Sequence, residues 1–213
     1  MPDSARSARR TQEQRRTEAR RRVVDAATEL VAQRGSRSVS LADVGAAAGY
    51  SRGIVNHHFG SKDRLLAAIL ENSQNFAEPP EAPTGLGRLT SLITTYLGVI
   101  RRRSPKPEAF LQLWSESMCT GSDLGPLFAE RDSWFRELLA GHIRDGIADG
   151  SIRPDADPAT TALIVAGMLR GTAMLLFSTA RDVEAESLAA DAAAMVERDL
   201  AATATRKRAA PAR

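Results

Sequence analysis

Residues 40–66, SLADVGAAAGYSRGIVNHHFGSKDRLL, constrain the fold of this chain more than any other segment. Serines at positions 40, 51 and 61 each precede a short apolar-periodic segment, and Ser, Thr, Asp and Asn are preferred helix N-caps. The pattern predicts helices over 41–48 and 52–58, joined by a turn that contains Gly49, and a further helix from Lys62. Two short helices around a Gly-containing turn are typical of a helix-turn-helix unit.

The rest of the chain also favours helices. Alanine is abundant, aromatic residues are only 5%, and no segment alternates β-branched residues, so propensity and periodicity both indicate an all-α fold. We predict about nine helices, with a three-helix helix-turn-helix domain before a C-terminal helical domain. The predicted divisions are a flexible basic arm over 1–16, the helix-turn-helix domain over 17–70, a ligand-binding and dimerisation domain over 71–202, and a basic disordered tail over 203–213.

Charge is distributed unevenly along the chain. The formal net charge of +3 combines +6 over residues 1–70, −7 over 71–202 and +4 over 203–213. This asymmetry indicates an anionic partner for one end of the molecule, either a nucleic acid or an anionic membrane.

Nothing in the sequence predicts a membrane span or a secretory signal. The most apolar segment, residues 159–177, is interrupted by three threonines and Arg170 and is predicted to be a buried helix of a soluble protein. The N-terminus lacks an apolar signal core, and the single Cys119 cannot form an intrachain disulfide. We therefore expect a cytoplasmic protein.

The second helix of the motif offers polar and cationic groups for DNA. A helix that enters the major groove reads base edges by hydrogen bonding, and helix N-termini bind phosphate through free backbone N–H groups. Arg52 suits guanine or phosphate, and Asn56 suits adenine or phosphate. The predicted DNA-binding residues are Ser40, Ser51, Arg52, Gly53, Asn56, His57, Ser61 and Lys62.

Three segments resemble the DNA-binding domain of the TetR/AcrR family of bacterial repressors. They are AATELVAQRG at 26–35, LADVGAAAGYSRG at 41–53 and HFGSKDRLL at 58–66. The resemblance implies a regulator that binds DNA, with further helices forming a variable effector domain. One departure is Asn56, which replaces a tyrosine usual in the family, so a phosphate contact from a phenolic hydroxyl is not expected here.

The C-terminal helices suggest a pocket and a dimer interface. Pocket candidates are Tyr96, Phe110, Trp114, Met118, Arg170, Met174 and Phe177, and the aromatic residues and methionines among them could equally be plain core. Arg170 requires a carboxylate partner, an anionic ligand or a subunit edge, with a structural ion pair favoured. The predicted dimer-interface residues, at helical spacing, are Ala159, Ala162, Ala166, Ala173, Leu188, Ala192, Met195 and Val196.

Known enzyme and metal signatures are missing from the sequence. It contains no phosphate-binding loop, nucleophile elbow or zinc-ligand spacing, so we predict no catalytic residues, no metal and no cofactor. The adjacent His57 and His58 cannot both face one metal from a helix. His58 is predicted to pack within its own domain. The Arg-rich N-terminus is either a solvated tail or an arm that enters the minor groove.

These observations predict a ligand-responsive transcriptional regulator. The favoured hypothesis is a homodimeric repressor that binds a palindromic double-stranded DNA operator and is released by an unknown small-molecule effector. Two alternatives remain at this stage. One is a helical ligand sensor that acts through protein contacts without operator binding, and the other is a small all-α enzyme without an identifiable catalytic group.

Overall fold

The computed structural model describes residues 12–73, 80–101, 104–119, 122–178 and 185–202. Within these ranges the chain is all-α, as predicted, and contains no β-strand. The helices are α1 (Gln12–Arg34), α2 (Leu41–Ala48), α3 (Arg52–Phe59), α4 (Lys62–Ser73), α5 (Gly85–Arg101), α6 (Pro105–Ser117), α7 (Gly125–Asp149), α8 (Pro158–Ser178) and α9 (Ala185–Leu200). A single 3₁₀ turn, Ser36–Ser38, joins α1 to the segment before α2.

The first helix is longer than the sequence prediction. It begins at Gln12, so residues 12–16 are helical and do not form a flexible arm. Residues 1–11 of the predicted arm and the predicted tail over 203–213 lie outside the described residues.

The chain forms two compact units that do not follow the linear order of the sequence. The first unit contains α1 to α4 together with α6, and the second contains α5, most of α7, α8 and α9. The sequence prediction assigned α6 to the C-terminal domain, but α6 packs against α1 and α4. Phe110 and Leu113 of α6 are fully buried, which explains why this helix joins the first unit.

The serines of the motif cap their helices as predicted. The Ser40 side chain accepts from the Asp43 backbone N–H at 3.2 Å, and the Asp43 carboxylate accepts from the Ser40 N–H at 2.9 Å. This reciprocal pair is a capping box, which satisfies two backbone donors at the start of α2. Ser51 and Ser61 accept from backbone N–H groups in the first turns of α3 and α4.

Gly45 determines how closely α2 approaches the turn before α3. A Cβ at position 45 would lie 2.8 Å from the Tyr50 carbonyl oxygen and 3.2 Å from the Arg52 nitrogen. Ala47 and Ala48 of α2 are also small enough to allow a close crossing. In the structure Ala47 is exposed and Ala48 only half-buried, so the close contact is made one turn earlier, at Gly45.

In the second unit, α5 packs against α9 and α8. The start of α5 is anchored to the end of α7, where the Asp149 carboxylate accepts from the Gly85 N–H at 2.7 Å and the Ser151 hydroxyl accepts from the Leu86 N–H at 3.2 Å. Hydrogen bonds from Ser151 and from the Gly85 N–H hold the pKa of Asp149 below its usual value. Residues 85–87 form the first turn of α5.

Three of the four residues on α8 that were predicted to form the dimer interface lie inside the second unit, and their role in a dimer stays a prediction. Ala162, Ala166 and Ala173 are 1%, 7% and 0% exposed, because they point into the second unit. On α9, Ala192 and Val196 are also buried and Leu188 is half-buried. Of the eight predicted residues only Ala159 and Met195 are exposed.

The exposed side of α8 carries different residues. Leu163, Gly167, Gly171 and Leu175 follow one another at four-residue steps and are all exposed. Ile164 beside them is 65% exposed. Helix α8 is therefore apolar on both faces, and by length and composition it is the one described helix that could cross a membrane. The sequence predicted a buried helix, and α8 is buried on one side only.

We predict that Gly45→Ala destabilises the protein. The added methyl group meets backbone atoms that cannot rotate away, and such overpacking costs about 1–3 kcal/mol. The free energy of unfolding, measured by urea titration with circular dichroism, should fall by that amount.

The matched control is Gly53→Ala in α3, where the nearest atom to the new Cβ is the Ser51 hydroxyl oxygen at 3.6 Å. That variant should be unchanged or more stable by up to about 1 kcal/mol, because alanine favours helix. Equal stabilities for the two variants would contradict the role given to Gly45.

Candidate nucleic-acid interface

Helix α3 presents its polar residues and Ile54 to solvent, and its other apolar residues, Val55 and Phe59, to the first unit. Val55 and Phe59 are 0% and 5% exposed and attach the helix to its neighbours. On the other side, Arg52, Gly53, Asn56 and His57 are all exposed, as is the N-cap Ser51. A short helix with one buried apolar edge and a polar outer face has the form needed to enter a DNA groove.

A cationic cleft lies where the starts of α2, α3 and α4 come together. Its volume is about 380 Å³, and it is lined by Arg37, Ser38, Val39, Ser40, Leu41, Ala42, Arg52 and Lys62. The lining contains three cations and no acidic side chain. None of the ion pairs among the described residues involves these three cations. The cleft therefore has the charge to bind an anion.

The first turn of α2 adds backbone donors to this cleft. The earliest N–H groups of a helix have no intrahelical acceptor, and Leu41 and Ala42 of this turn line the cleft. The Ser40 hydroxyl is already engaged with Asp43, and hydrogen bonds from Ser40 hold the pKa of the Asp43 carboxyl below its usual value. Ser40 thus acts here mainly through its capping box.

The structure brings together three of the eight residues predicted to bind DNA. Ser40, Arg52 and Lys62 line the cleft, whereas Ser51, Gly53, Asn56 and His57 lie along the exposed face of α3. Ser61 caps α4 immediately before Lys62. The DNA-binding role of all eight remains a prediction.

Sequence reasoning missed Arg37. Its 3₁₀ turn has no helical periodicity, so nothing in the local pattern assigned a direction to this side chain. The one available signal was its place three residues before the N-cap serine of a helix-turn-helix motif, where a cation can reach a phosphate bound at the helix start.

His58 packs at the edge of the first unit, as the sequence predicted. It is half-buried, next to Phe59, with ring centroids 6.3 Å apart. Burial lowers the pKa of its imidazole, and nearby His57, Arg16 and Arg20 lower that pKa further. His58 is therefore a structural side chain that favours the neutral form.

The predicted pocket residues divide between the two units. Phe110, Trp114 and Met118 belong to the first unit, where Phe110 packs against Phe128 at 5.6 Å between ring centroids. Met118 differs from the others because it is 64% exposed. Tyr96, Arg170, Met174 and Phe177 belong to the second unit. A ligand-binding role for these seven residues remains a prediction.

Arg170 forms the ion pair that the sequence favoured. Its guanidinium lies 2.6 Å from the Asp132 carboxylate and faces the Phe135 ring at 5.9 Å. Phe135 in turn stacks on Tyr96. Burial raises the pKa of Tyr96 to about 12, and burial together with Arg170 lowers the pKa of Arg131 to about 10. The second unit thus contains a polar cluster in which Tyr96, Arg131 and Arg170 are buried and Asp132 is half-buried.

The capped helices, the exposed face of α3 and the cationic cleft define a helix-turn-helix protein. Residues 23–69 match the model for bacterial regulatory proteins of the tetR family. Residues 86–201, more than half of the chain, match the C-terminal model of BetI-type transcriptional repressors. The chain belongs to the TetR family and is a DNA-binding transcriptional regulator, a class whose members are not enzymes.

Known relatives match most of the chain. The HTH-type transcriptional regulator UidR of Escherichia coli K12 is 25% identical, over 81% of this chain and 85% of its own. The HTH-type transcriptional repressor KstR2 of Rhodococcus jostii is 30% identical, over 67% and 70%. A transcriptional regulator of Saccharomonospora viridis, solved in complex with choline, has the same fold, with a TM-score of 0.73, 24% identity, and coverage of 87% and 98%.

We predict that the stability of the protein depends on His58 as the pH falls. A depressed histidine pKa means that the folded state binds fewer protons, so its contribution is present above the ordinary pKa of 6.5 and is lost as the pH falls through the lower folded value. In unfolding titrations, His58→Gln should lose less stability than the parent between about pH 7.5 and about pH 5.

His57→Gln is the matched control, because its ring is exposed on the same helix. That variant removes one neighbour that lowers the His58 pKa but leaves the burial, which is the largest cause, so it should keep most of the pH dependence of the parent protein. A His58→Gln curve parallel to the parent would rule out this contribution.

Proposed function

We propose that this protein is a cytoplasmic repressor that binds a palindromic operator as a homodimer and is released by a small-molecule effector. The observation that carries the proposal is the cationic cleft beside the exposed polar face of α3. A cleft without acidic lining suits DNA phosphate, and the adjacent helix face suits base edges. The family match to transcriptional repressors supports repression rather than activation.

In this proposal the two parts of the interface have separate tasks. Arg37 and Lys62, with the N–H groups at the start of α2, bind phosphate and orient the protein on the duplex. Asn56 and His57 lie on the outer face of α3 and read bases. Arg52 lines the cleft and begins α3, so it can reach either a phosphate or a base.

A palindromic operator requires two copies of α3 about 34 Å apart, or a multiple of that distance. We assign the dimer contact to the exposed stripe of Leu163, Gly167, Gly171 and Leu175 on α8. A Cβ at either glycine would meet no atom within 4 Å, so a helix of a second copy can approach the backbone closely there. Exposed Ile164 and Met195 add apolar area to this face.

The effector remains unidentified. The polar cluster around Arg170 and the aromatic residues near it are the part of the second unit that we assign to ligand recognition, since pockets combine apolar walls with a few polar groups. A ligand acts on repression only to the extent that it binds the released and DNA-bound arrangements with different affinity. The S. viridis regulator that binds choline supports a small-molecule effector in this fold.

The competing hypothesis is a ligand sensor that acts through protein contacts without an operator. Random-site selection from a DNA library discriminates the two. An enriched palindrome supports the repressor, and the same DNA then serves in a screen for compounds that release it. A selection that stays empty at low salt favours the sensor.

We predict that Arg37→Ala, Arg52→Ala and Lys62→Ala each weaken binding to the selected operator. Every lost phosphate contact should reduce the magnitude of the slope of log affinity against log salt by about 0.9. Fluorescence anisotropy across a salt series measures both quantities. Size-exclusion chromatography should show unchanged dimers.

Lys106→Ala provides the matched control, because it removes one exposed positive charge from α6 outside the cleft. Its salt slope should equal that of the parent. If the three cleft variants also keep the parent slope, phosphate binding in this cleft is excluded.

We predict that Gly171→Leu weakens the homodimer. The larger side chain projects from the exposed face of α8 and prevents close approach of a second helix, while the monomer has space for it. Sedimentation equilibrium should show a higher dissociation constant, while the free energy of unfolding of the monomer stays the same or rises by up to about 1 kcal/mol, because leucine favours helix more than glycine does.

Thr94→Leu adds apolar volume to an exposed position of α5 and serves as the comparison. It should dimerise like the parent. A Gly171→Leu protein with the parent dissociation constant would place the dimer contact elsewhere.

A further inference from the structure

One long-range contact within the first unit joins α6 to the turn that carries Arg37. The Glu116 carboxylate accepts a hydrogen bond from the Ser36 backbone N–H at 2.9 Å through Oε1, and another from the Ser36 hydroxyl through Oε2. Ser36 is only 5% exposed. Hydrogen bonds to a charged acceptor are the stronger kind, and a buried donor is costly to leave unpaired.

The backbone at Gly35 allows the turn to lie directly on this carboxylate. Gly35 has φ of 72°, a conformation that residues with a side chain rarely adopt. A Cβ at this position would lie 3.2 Å from Glu116 Oε1. The end of α1 and the following 3₁₀ turn are therefore held against α6 at a defined distance.

This anchored turn leads directly into the cationic cleft. Arg37 is the residue after Ser36, is exposed, and lines the cleft. The Val39 N–H donates back to the Ser36 carbonyl oxygen at 3.2 Å, which closes the turn just before the cap Ser40. Movement of Ser36 would therefore displace both Arg37 and the start of α2.

We propose that Glu116 is a positioning residue for DNA binding. It holds the Ser36–Ser38 turn so that Arg37 and the first N–H groups of α2 face one phosphate together. The proposal rests on the phosphate cleft of the proposed function. Glu116 does not touch the DNA. It acts through Ser36 and the backbone.

Positioning and simple electrostatics predict opposite changes in DNA affinity when the Glu116 charge is removed. A carboxylate near a DNA-binding surface repels phosphate, so removing its charge should strengthen DNA binding if charge alone mattered. Positioning predicts the opposite result, because the freed turn no longer holds Arg37 at the phosphate.

The test measures operator affinity across a salt series for Glu116→Ala, Glu116→Gln and Glu108→Ala. Glu116→Ala should bind more weakly than the parent, with a slope reduced by up to about 0.9, the value of one phosphate contact. Glu116→Gln retains a carbonyl acceptor for the Ser36 N–H and should recover most of the affinity. Glu108→Ala removes the same charge two turns earlier on α6 and should bind as tightly as the parent or more tightly.

A double-mutant cycle with Arg37→Ala shows whether Glu116 affects DNA binding through Arg37. If Glu116 acts through Arg37, then Glu116→Ala should weaken binding much less in the Arg37→Ala background than in the parent. Additive losses would show that Glu116 does not act through Arg37 and would overturn the proposal.

Unfolding measurements accompany each variant. Should Glu116→Ala fail to fold, Ser36→Ala replaces it, since that change removes only the hydroxyl bond and should give a smaller loss in the same direction. Folded variants that keep the parent affinity and slope, or bind more tightly, overturn the positioning role. If instead Arg37→Ala itself leaves the slope unchanged, the hypothesis that fails is phosphate binding by Arg37 in the cleft, which belongs to the proposed function.

Discussion

The candidate DNA-binding surface depends on the close approach of α2 to the backbone before α3. No Cβ fits at position 45, where the Tyr50 carbonyl oxygen and the Arg52 nitrogen lie against the helix. This contact sets the start of α3 relative to α2 and so places Arg52 in the cleft. The serine caps then stabilise α2 and α3, because helices of only eight residues are marginally stable on their own. The relative placement of α2 and α3 at this interface therefore depends on backbone packing rather than on any one side chain.

The distribution of charge favours anion binding in this cleft. The chain has a net charge of only +3, yet three cations share one cleft whose lining contains no carboxylate. Most ion pairs of the first unit lie along the exposed side of α1, as in the contact of Arg21 with Glu18 and Asp25. Acidic groups in that unit thus neutralise cations outside the cleft, and the cations inside it keep their attraction for an anion. The excess of acidic residues over 71–202 adds a repulsion that disfavours DNA contact elsewhere.

Helix α8 illustrates the limit of periodicity. Its position and approximate ends could be predicted, because an apolar segment between Pro158 and a polar stretch forms a helix in a chain of this composition. Which side of α8 faces the core could not be predicted. The helix packs on its own core and also exposes an apolar stripe, so it has no polar side that would indicate the solvent. The small residues Ala162, Ala166 and Ala173 suggested close packing between subunits, and in the structure they pack in the interior of the second unit.

By itself the sequence determined the helices, the three serine caps, the helix-turn-helix motif and most of the exposed residues on α3. These features depend on hydrogen bonds and side-chain spacing within a few positions, which a linear pattern records. Only the tertiary structure decided that α6 belongs to the first unit, that Gly45 makes the close contact, and that Arg37 joins Arg52 and Lys62. It also paired Ser36 with Glu116, eighty positions apart. Contacts at that separation depend on how whole helices pack, and local propensity carries no information about them.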